Sequence, residues 1–140
     1  MADEPIMTLE SKLSVLAEDL GKIVDWKWDG RFSTAVGEFA ATEKDRVLGV
    51  LEKHLVSTWD SLTVKDAPDV VQEISKKLGG LMSGQLLLLS DSRQAACIFC
   101  AWWPWGSGAK ISIRIAPFNT SLADEDATAL TAQFREVFKI

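Results

Sequence analysis

The uninterrupted apolar run from Ala95 to Trp103 constrains the fold of this chain more than any other feature of its sequence. The run is far shorter than the roughly 20 apolar residues that a helix needs to cross a bilayer. An apolar stretch of this length is typical of a strand that is covered on both faces of a sheet. We therefore expect a central strand over 95–103, with a layer of structure on each side.

Two neighbouring segments predict further strands. Leu86 to Leu89 is a short, wholly apolar run, and the turn residues 91–93 separate it from the central strand. After a second turn at 104–108, isoleucine alternates with polar residues from Ile111 to Ile115. Alternation with a period of two predicts a strand with one buried and one solvated face. Such short connections make neighbouring strands antiparallel.

A hairpin is predicted closer to the N-terminus. Val24, Trp26 and Trp28 alternate with polar residues, which again is a strand pattern. Asp29-Gly30 is the dipeptide that a type I′ turn prefers, because both central residues of that turn need positive φ. We expect the chain to return over 31–36 as the second strand of this hairpin.

Four helices are predicted from apolar residues at helical spacing. The first runs from Leu9 to Leu20, the second opens at Thr42, the third at Asp66, and the last begins near Ser121. The third helix ends at Gly79-Gly80, and the apolar stripe of the second comprises Leu48, Leu51, Leu55 and Trp59.

The predicted order is α-β-β-α-α-β-β-β-α in a single α+β domain over 1–140, with residues 1–6 disordered. An antiparallel sheet of about five strands covered by helices is the simplest architecture that buries these apolar stripes. The order resembles that of roadblock/profilin-like folds and of small acidic secretion chaperones. It carries no family motif, so the resemblance concerns the fold alone and assigns no residue.

Charge excludes some functions. The formal net charge is −5, and the densest basic cluster, Lys76-Lys77, lies beside Glu73. Because a phosphate backbone requires several cations on one face, we expect no nucleic-acid binding. The acidic start of the chain has no apolar signal segment, and no stretch is long enough to span a membrane. We expect a soluble cytoplasmic protein.

Cys97 and Cys100 form a Cys-x-x-Cys pattern inside the predicted central strand. Three residues of strand span about 10 Å, whereas a disulfide needs Cα atoms within about 7 Å. An odd separation also places the two side chains on opposite faces. We therefore predict two buried packing residues, no metal site and no cofactor.

His54 is the only histidine, and it borders the apolar stripe of the second helix. A half-buried structural role is its ordinary interpretation, and the alternative is an acid–base role beside Asp25 or Asp60. No nucleophile elbow, dinucleotide fingerprint or Walker sequence is present; Gln85 stands where a phosphate loop needs lysine. We predict no catalytic residues.

Tryptophan is unusually abundant, with six residues in 140. Five of them form two clusters, which are Trp26 with Trp28, and Trp102 and Trp103 with Trp105. The indoles could close the ends of the core, with their N–H groups reaching water. Alternatively they could form an exposed patch, and tryptophan is enriched in binding hot spots. We treat these five as candidate partner-binding residues.

Two functional hypotheses follow. The favoured one is a non-catalytic protein-interaction module, either a self-associating adaptor or a small acidic chaperone-like protein, that uses the tryptophan-rich hairpin. A homodimer through that hairpin or an open sheet edge is its simplest version. The alternative is a small-molecule-binding domain or enzyme with a tryptophan-lined pocket, in which His54 is the obvious acid–base residue.

Overall fold

A computed structural model of the chain describes residues 5–91 and 96–140. The elements in these ranges are α1 (Pro5–Leu20), β1 (Lys27–Asp29), β2 (Thr34–Ala40), α2 (Lys44–His54), β3 (Ser57–Asp60), α3 (Asp69–Lys77), β4 (Leu86–Leu89), β5 (Ala96–Pro104), β6 (Lys110–Asn119) and α4 (Asp124–Phe138). Short 3-10 turns at Ala41–Glu43 and Val64–Asp66 precede α2 and α3. Of the segment expected to be disordered, residues 1–4 lie outside the described ranges, as does most of the turn expected at 91–93.

The six strands form one antiparallel sheet in the order β1-β2-β6-β5-β4-β3. The predicted α+β class and antiparallel sheet are confirmed, with six strands where about five were expected. β5 lies inside the sheet between β6 and β4, and every residue from Ala96 to Trp102 is buried. The apolar run is therefore extended and covered on both faces, as its composition predicted.

The additional strand is β3, at one edge of the sheet. Trp59 follows Leu55 at helical spacing and was assigned to the apolar stripe of the second helix, which was wrong. α2 ends at His54, and Ser57–Asp60 pairs with β4 in the register Trp59↔Leu87. Pairing with a strand almost thirty residues further along the chain overrides the local spacing here.

The hairpin between β1 and β2 also differs from its prediction. Asp29 pairs with Thr34, so four residues connect the strands and the two-residue type I′ turn expected at Asp29-Gly30 is wrong. The positive φ of this loop lies at Ser33, where φ is 55°. The Asp29 carboxylate accepts a hydrogen bond from the Arg31 N–H at 3.0 Å, which turns the chain locally without a primed turn.

The helices divide unequally between the two faces of the sheet. Arg135 of α4 lies over Trp28, which places α4 on the face that carries Trp28, and α1 packs against α4, β5 and α2. On the opposite face, Lys77 of α3 lies 5.9 Å from the ring of Phe118. α3 therefore covers that face near the end of β6, and the remainder of the face is left for solvent or a partner.

The core lies mainly between the sheet and the helices on the α4 side. α1 contributes a row of four leucines at helical spacing to this core. All four are fully buried: Leu9, Leu13, Leu16 and Leu20. They belong to the same hydrophobic core as the buried isoleucine face of β6, which is formed by Ile111, Ile113 and Ile115. The alternate residues of β6, Ser112 and Arg114, face the α3 side and are only half-buried.

Candidate functional site

The candidate site is the part of the α3 side of the sheet that helices leave accessible. We call it the open half-face, and its members are Lys27, Asp29, Val36, Glu38, Trp103, Trp105, Lys110, Ser112 and Arg114. The register Trp103↔Ser112 and Val36↔Arg114 places strands β1, β2, β6 and the end of β5 side by side here. Residues at alternate positions of each strand therefore share this surface.

Arg114 is the centre of the open half-face. Its guanidinium carbon lies 4.4 Å from the centroid of the Trp103 ring and 5.3 Å from that of Phe32. Its Nε donates a hydrogen bond to Oδ2 of Asp29 at 2.9 Å, and both side chains are less than one-fifth exposed. Two aromatic rings and one carboxylate thus fix the guanidinium in a single orientation.

Asp29 is ionised in this arrangement. Partial burial raises the pKa of its carboxyl, but the hydrogen bonds from Arg114 and from the Arg31 N–H, together with the charge of Arg114, outweigh burial. The net pKa lies below the ordinary value. The carboxylate therefore positions both the turn after β1 and the guanidinium on β6.

Trp105 extends the surface beyond the end of β5. Its Nε1 donates a hydrogen bond to the Ser112 hydroxyl at 2.7 Å, and the Lys110 ammonium lies 5.7 Å from its ring. Lys110 also pairs with Glu38 of β2 at 3.2 Å. With 47% of its surface exposed, Trp105 is a large apolar side chain held in place by polar contacts yet open to solvent.

The structure separates the five tryptophans that the sequence grouped. Trp102 points to the α4 side, where it is buried against Phe39 at a centroid distance of 5.5 Å, so it cannot contact a partner directly. Trp26 packs against Phe138, and Trp28 lies under the Arg135 guanidinium, on the same helix. Only Trp103 and Trp105 share the open half-face.

Three indole N–H groups are buried and lack a hydrogen-bond partner within the described part of the chain: those of Trp26, Trp59 and Trp103. A buried N–H without an acceptor costs about 1–3 kcal/mol. The alternative in which the clustered indoles direct their N–H groups to water is therefore wrong for Trp26 and Trp103. For Trp103, the aromatic and cationic contacts of the ring offset this cost.

His54 lies apart from the open half-face, at the end of α2. It is half-buried, and no hydrogen bond or ion pair of the described residues connects it to Asp25 or Asp60. Hydrogen bonds from the backbone N–H groups of Thr63 and Leu62 lower the pKa of Asp60, so this carboxylate stabilises its own turn. The structure therefore does not assemble the alternative acid–base pair.

The two cysteines lie on opposite faces of β5, as their spacing predicted, and both are free and buried. Burial, with a smaller contribution from the charge of Asp91, raises the pKa of Cys97 to about 11, and burial raises that of Cys100 further. Neither thiol is a ready nucleophile or metal ligand at neutral pH. No group of three or more metal-binding side chains occurs in the described ranges.

Two of the clefts outside the open half-face are lined by aromatic residues. The α1/α4 cleft, of about 560 Å³, is lined by Trp26 and Phe138 and by the carboxylates of Glu18 and Asp25. The phenylalanine cleft, of about 260 Å³, is lined by four aromatic rings: Phe32, Phe99, Phe118 and Phe134. Neither cleft is lined by His54. The alternative hypothesis expects a pocket lined by several indoles, but the α1/α4 cleft contains one indole and the phenylalanine cleft contains none.

Sequence reasoning missed three residues that organise the open half-face: Asp29, Phe32 and Arg114. The alternation of β6 gave a signal for Arg114, because it placed this residue on the solvated face of a predicted strand. Asp29 was assigned only to the turn. Its pairing with Arg114, 85 residues away, depends on strand order.

Comparison of the chain with protein families, with curated proteins and with solved structures gave no match in any of the three. None of the helices in the described ranges is both long and apolar enough to cross a membrane.

Proposed function

We propose that this chain is a non-catalytic protein-interaction module whose partner docks on the open half-face. The observation that carries this proposal is the pair Trp103 and Trp105, which stand side by side with Arg114 on a sheet surface that α3 does not cover. Tryptophan and arginine are the residue types most enriched in binding hot spots. A cytoplasmic adaptor or small chaperone-like role, as expected from the sequence, fits this surface.

The surface is also organised before any partner arrives. Asp29 and the two rings hold Arg114, while Ser112 and Lys110 hold Trp105. Ordering a long side chain on binding costs about 0.5–1.5 kcal/mol, and this cost is reduced where the side chain is already fixed. The contacts within the open half-face therefore favour binding without rearrangement of the sheet.

Charge indicates the chemistry of the partner. On and beside the open half-face, four cations face three carboxylates: Lys27, Arg31, Lys110 and Arg114 against Asp25, Asp29 and Glu38. The whole chain carries a net charge of −5, so this surface differs in sign from the rest. We infer a protein segment that presents carboxylates around an apolar side chain able to stack on Trp105.

The homodimer expected from the sequence fits a different part of the sheet, because two open half-faces would bring like charges together. The free edge of β3 is the surface we propose for self-association. Two copies of Ser57–Asp60 can pair antiparallel about a twofold axis, and the strand is flanked by Val56 and Leu62, which are 72% and 76% exposed.

Light scattering of the variant Val56→Lys/Leu62→Lys tests this self-association, with Val15→Lys as the control. A strict monomer in the wild type would contradict the proposed dimer.

The docking proposal is tested with a face variant and a matched control. Arg31→Glu/Trp105→Ser removes one exposed ring of the open half-face and reverses one charge beside it. Arg46→Glu/Met82→Ser makes equivalent changes at exposed positions elsewhere. Each protein serves as bait in an extract of its own host, and any captured protein is then purified and titrated against all three.

The expected partner binds the wild type and the control equally and binds the face variant at least about 30-fold more weakly, the effect of one hot spot of about 2 kcal/mol. Equal binding to all three proteins would place the interface elsewhere. Circular dichroism of the variants ensures that a loss of binding is not a loss of folding.

A further inference from the structure

We propose that the phenylalanine cleft binds a small organic anion with an apolar body, of the class of aromatic carboxylates. The cleft lies where the loop between β1 and β2, the end of β6, the end of α3 and the middle of α4 meet. It is separate from the two surfaces proposed above for proteins, although Phe32 borders both it and the open half-face. Its chemistry is that of a small-molecule site.

The cleft is lined by buried apolar side chains and by half-buried aromatic rings. Phe99, Leu130 and Phe134 are buried, and Phe32 and Phe118 are half-buried. The volume of the cleft is about 260 Å³. A single ring with a short side chain fills such a space, and ring edges offer it the T-shaped contacts that aromatic pairs prefer.

The charges around the cleft select an anion. Lys77 lines it, and no carboxylate does so among the described residues. The Lys77 ammonium lies over Phe118 and makes no ion pair in the described ranges. The guanidinium carbons of Arg31 and Arg114 lie 5.0 Å and 5.3 Å from the Phe32 ring, so two further cations border the mouth.

Most other polar groups of the lining are already engaged. Asn119 accepts a hydrogen bond from the Leu122 N–H at 2.7 Å, and the Thr131 hydroxyl donates to the carbonyl of Ala127 at 3.1 Å. Lys77 is therefore the group best placed to pair with a ligand carboxylate. Thr34 directly follows Ser33, which lines the cleft. The Thr34 hydroxyl is fully buried and has no hydrogen-bond partner in the described ranges.

The α1/α4 cleft provides an internal comparison. It is larger, but Glu18 and Asp25 line it with only Lys139 as a cation. An organic anion is therefore expected to avoid that cleft and to enter the smaller one. Site assignment by NMR distinguishes the two, because their lining residues do not overlap.

The experiment titrates the full chain, labelled with ¹⁵N, with 3-phenylpropionate and with the neutral 3-phenylpropanamide, which has the same shape. The carboxylate is expected to give saturable amide shifts centred on the lining of the phenylalanine cleft, with millimolar or tighter affinity. The amide is expected to bind roughly tenfold or more weakly, because it cannot form the charge-assisted contact with Lys77.

Two pairs of variants identify the site. Lys77→Met keeps the apolar stem and removes the charge, and it should weaken carboxylate binding roughly tenfold without changing amide binding, while Lys76→Met should change neither. Ala127→Leu should fill the cleft and abolish both titrations, whereas Ala129→Leu, at an exposed position of the same helix, should abolish neither.

The proposal would be overturned by the absence of a saturable shift in the wild type, by equal affinity for the carboxylate and the amide, or by unchanged carboxylate affinity in Lys77→Met. Shifts confined to the surroundings of Trp103 and Trp105 would likewise contradict it. The thermal unfolding midpoint of each variant shows whether it is folded, and Lys77→Met, which alters an exposed side chain, keeps the test valid if a cleft-filling variant fails to fold.

Discussion

Replacing Gly37 with alanine tests the close approach of the segment 24–26 to β2. A Cβ atom at this position would overlap Cγ1 of Val24 and would lie 3.0 Å from the carbonyl oxygen of Asp25. The φ of Gly37 is not positive, so alanine is conformationally allowed and the effect is one of packing. Val24 is buried, and a backbone carbonyl moves only with the chain, so neither neighbour yields easily.

The magnitude follows from two opposing effects. Overpacking a well-packed site costs about 1–3 kcal/mol. Alanine also lowers the entropy of the unfolded chain, which stabilises the fold by about 0.4–1 kcal/mol. We expect the free energy of unfolding to fall by about 1–2 kcal/mol, which for a domain of this size lowers the unfolding midpoint by about 3–6 °C.

The assay is urea unfolding followed by tryptophan fluorescence. Gly49→Ala is the matched control, because a Cβ there meets no atom within 4 Å in the middle of α2, and it should stabilise the protein by about 1 kcal/mol. In the background of Val24→Ala, which removes the overlapping methyl, the cost of Gly37→Ala should fall by more than about 0.5 kcal/mol.

A Gly37→Ala variant as stable as Gly49→Ala would contradict the close approach of the segment 24–26 to β2. It would mean that the segment 24–26 does not lie against β2 at position 37. An equal cost of Gly37→Ala with and without Val24→Ala would show that some other contact causes the loss.

Two further predictions concern charge and thiol chemistry. Because the folded pKa of Asp29 lies below its ordinary value of 3.8, its ion pair stabilises the protein fully above that pH and less as the pH falls through the folded pKa. Asp29→Asn should therefore lower the free energy of unfolding by about 1–2 kcal/mol at pH 7 and by less at pH 2.5, and a difference independent of pH would contradict this. Cys97 and Cys100 should react with a thiol reagent at pH 8 only as fast as the protein unfolds, and both should react at once in urea; rapid labelling of the native protein would contradict their burial.

The fold could be predicted where the pattern of the sequence depends only on local structure. β5 is buried on both faces, so its sequence is a continuous apolar run. β6 is buried on one face, so its isoleucines alternate with polar residues, and both patterns indicate strands. The edge strand β3 left no such mark. Its residues Ser57–Asp60 do not alternate, and Trp59 happens to continue the spacing of α2, so only the distant pairing with β4 makes it extended.

The candidate site was predictable in its residue types but not in its assembly. The opposite directions of Trp102 and Trp103 follow from the period of a strand, so one buried and one partly exposed indole could be expected. Arg114 could be placed on a solvated face for the same reason. The meeting of Arg114, Asp29 and Trp103 requires β6 to lie between β2 and β5, and nothing local in the sequence specifies that order.

Unequal coverage of the sheet explains why a binding surface exists here. Neighbouring strands lie about 4.8 Å apart, so six strands span roughly 24 Å between the outermost backbones, whereas one helix is about 10 Å wide. α1, α2 and α4 are enough for one side, but α3, with nine residues, covers only about half of the other. Solvated residues alone could occupy the uncovered half, as Glu38 and Ser112 do. A sheet face that only meets solvent has no need of Trp103 and Trp105. A docking surface does need large side chains in a fixed position, and these two tryptophans are fixed beside Arg114.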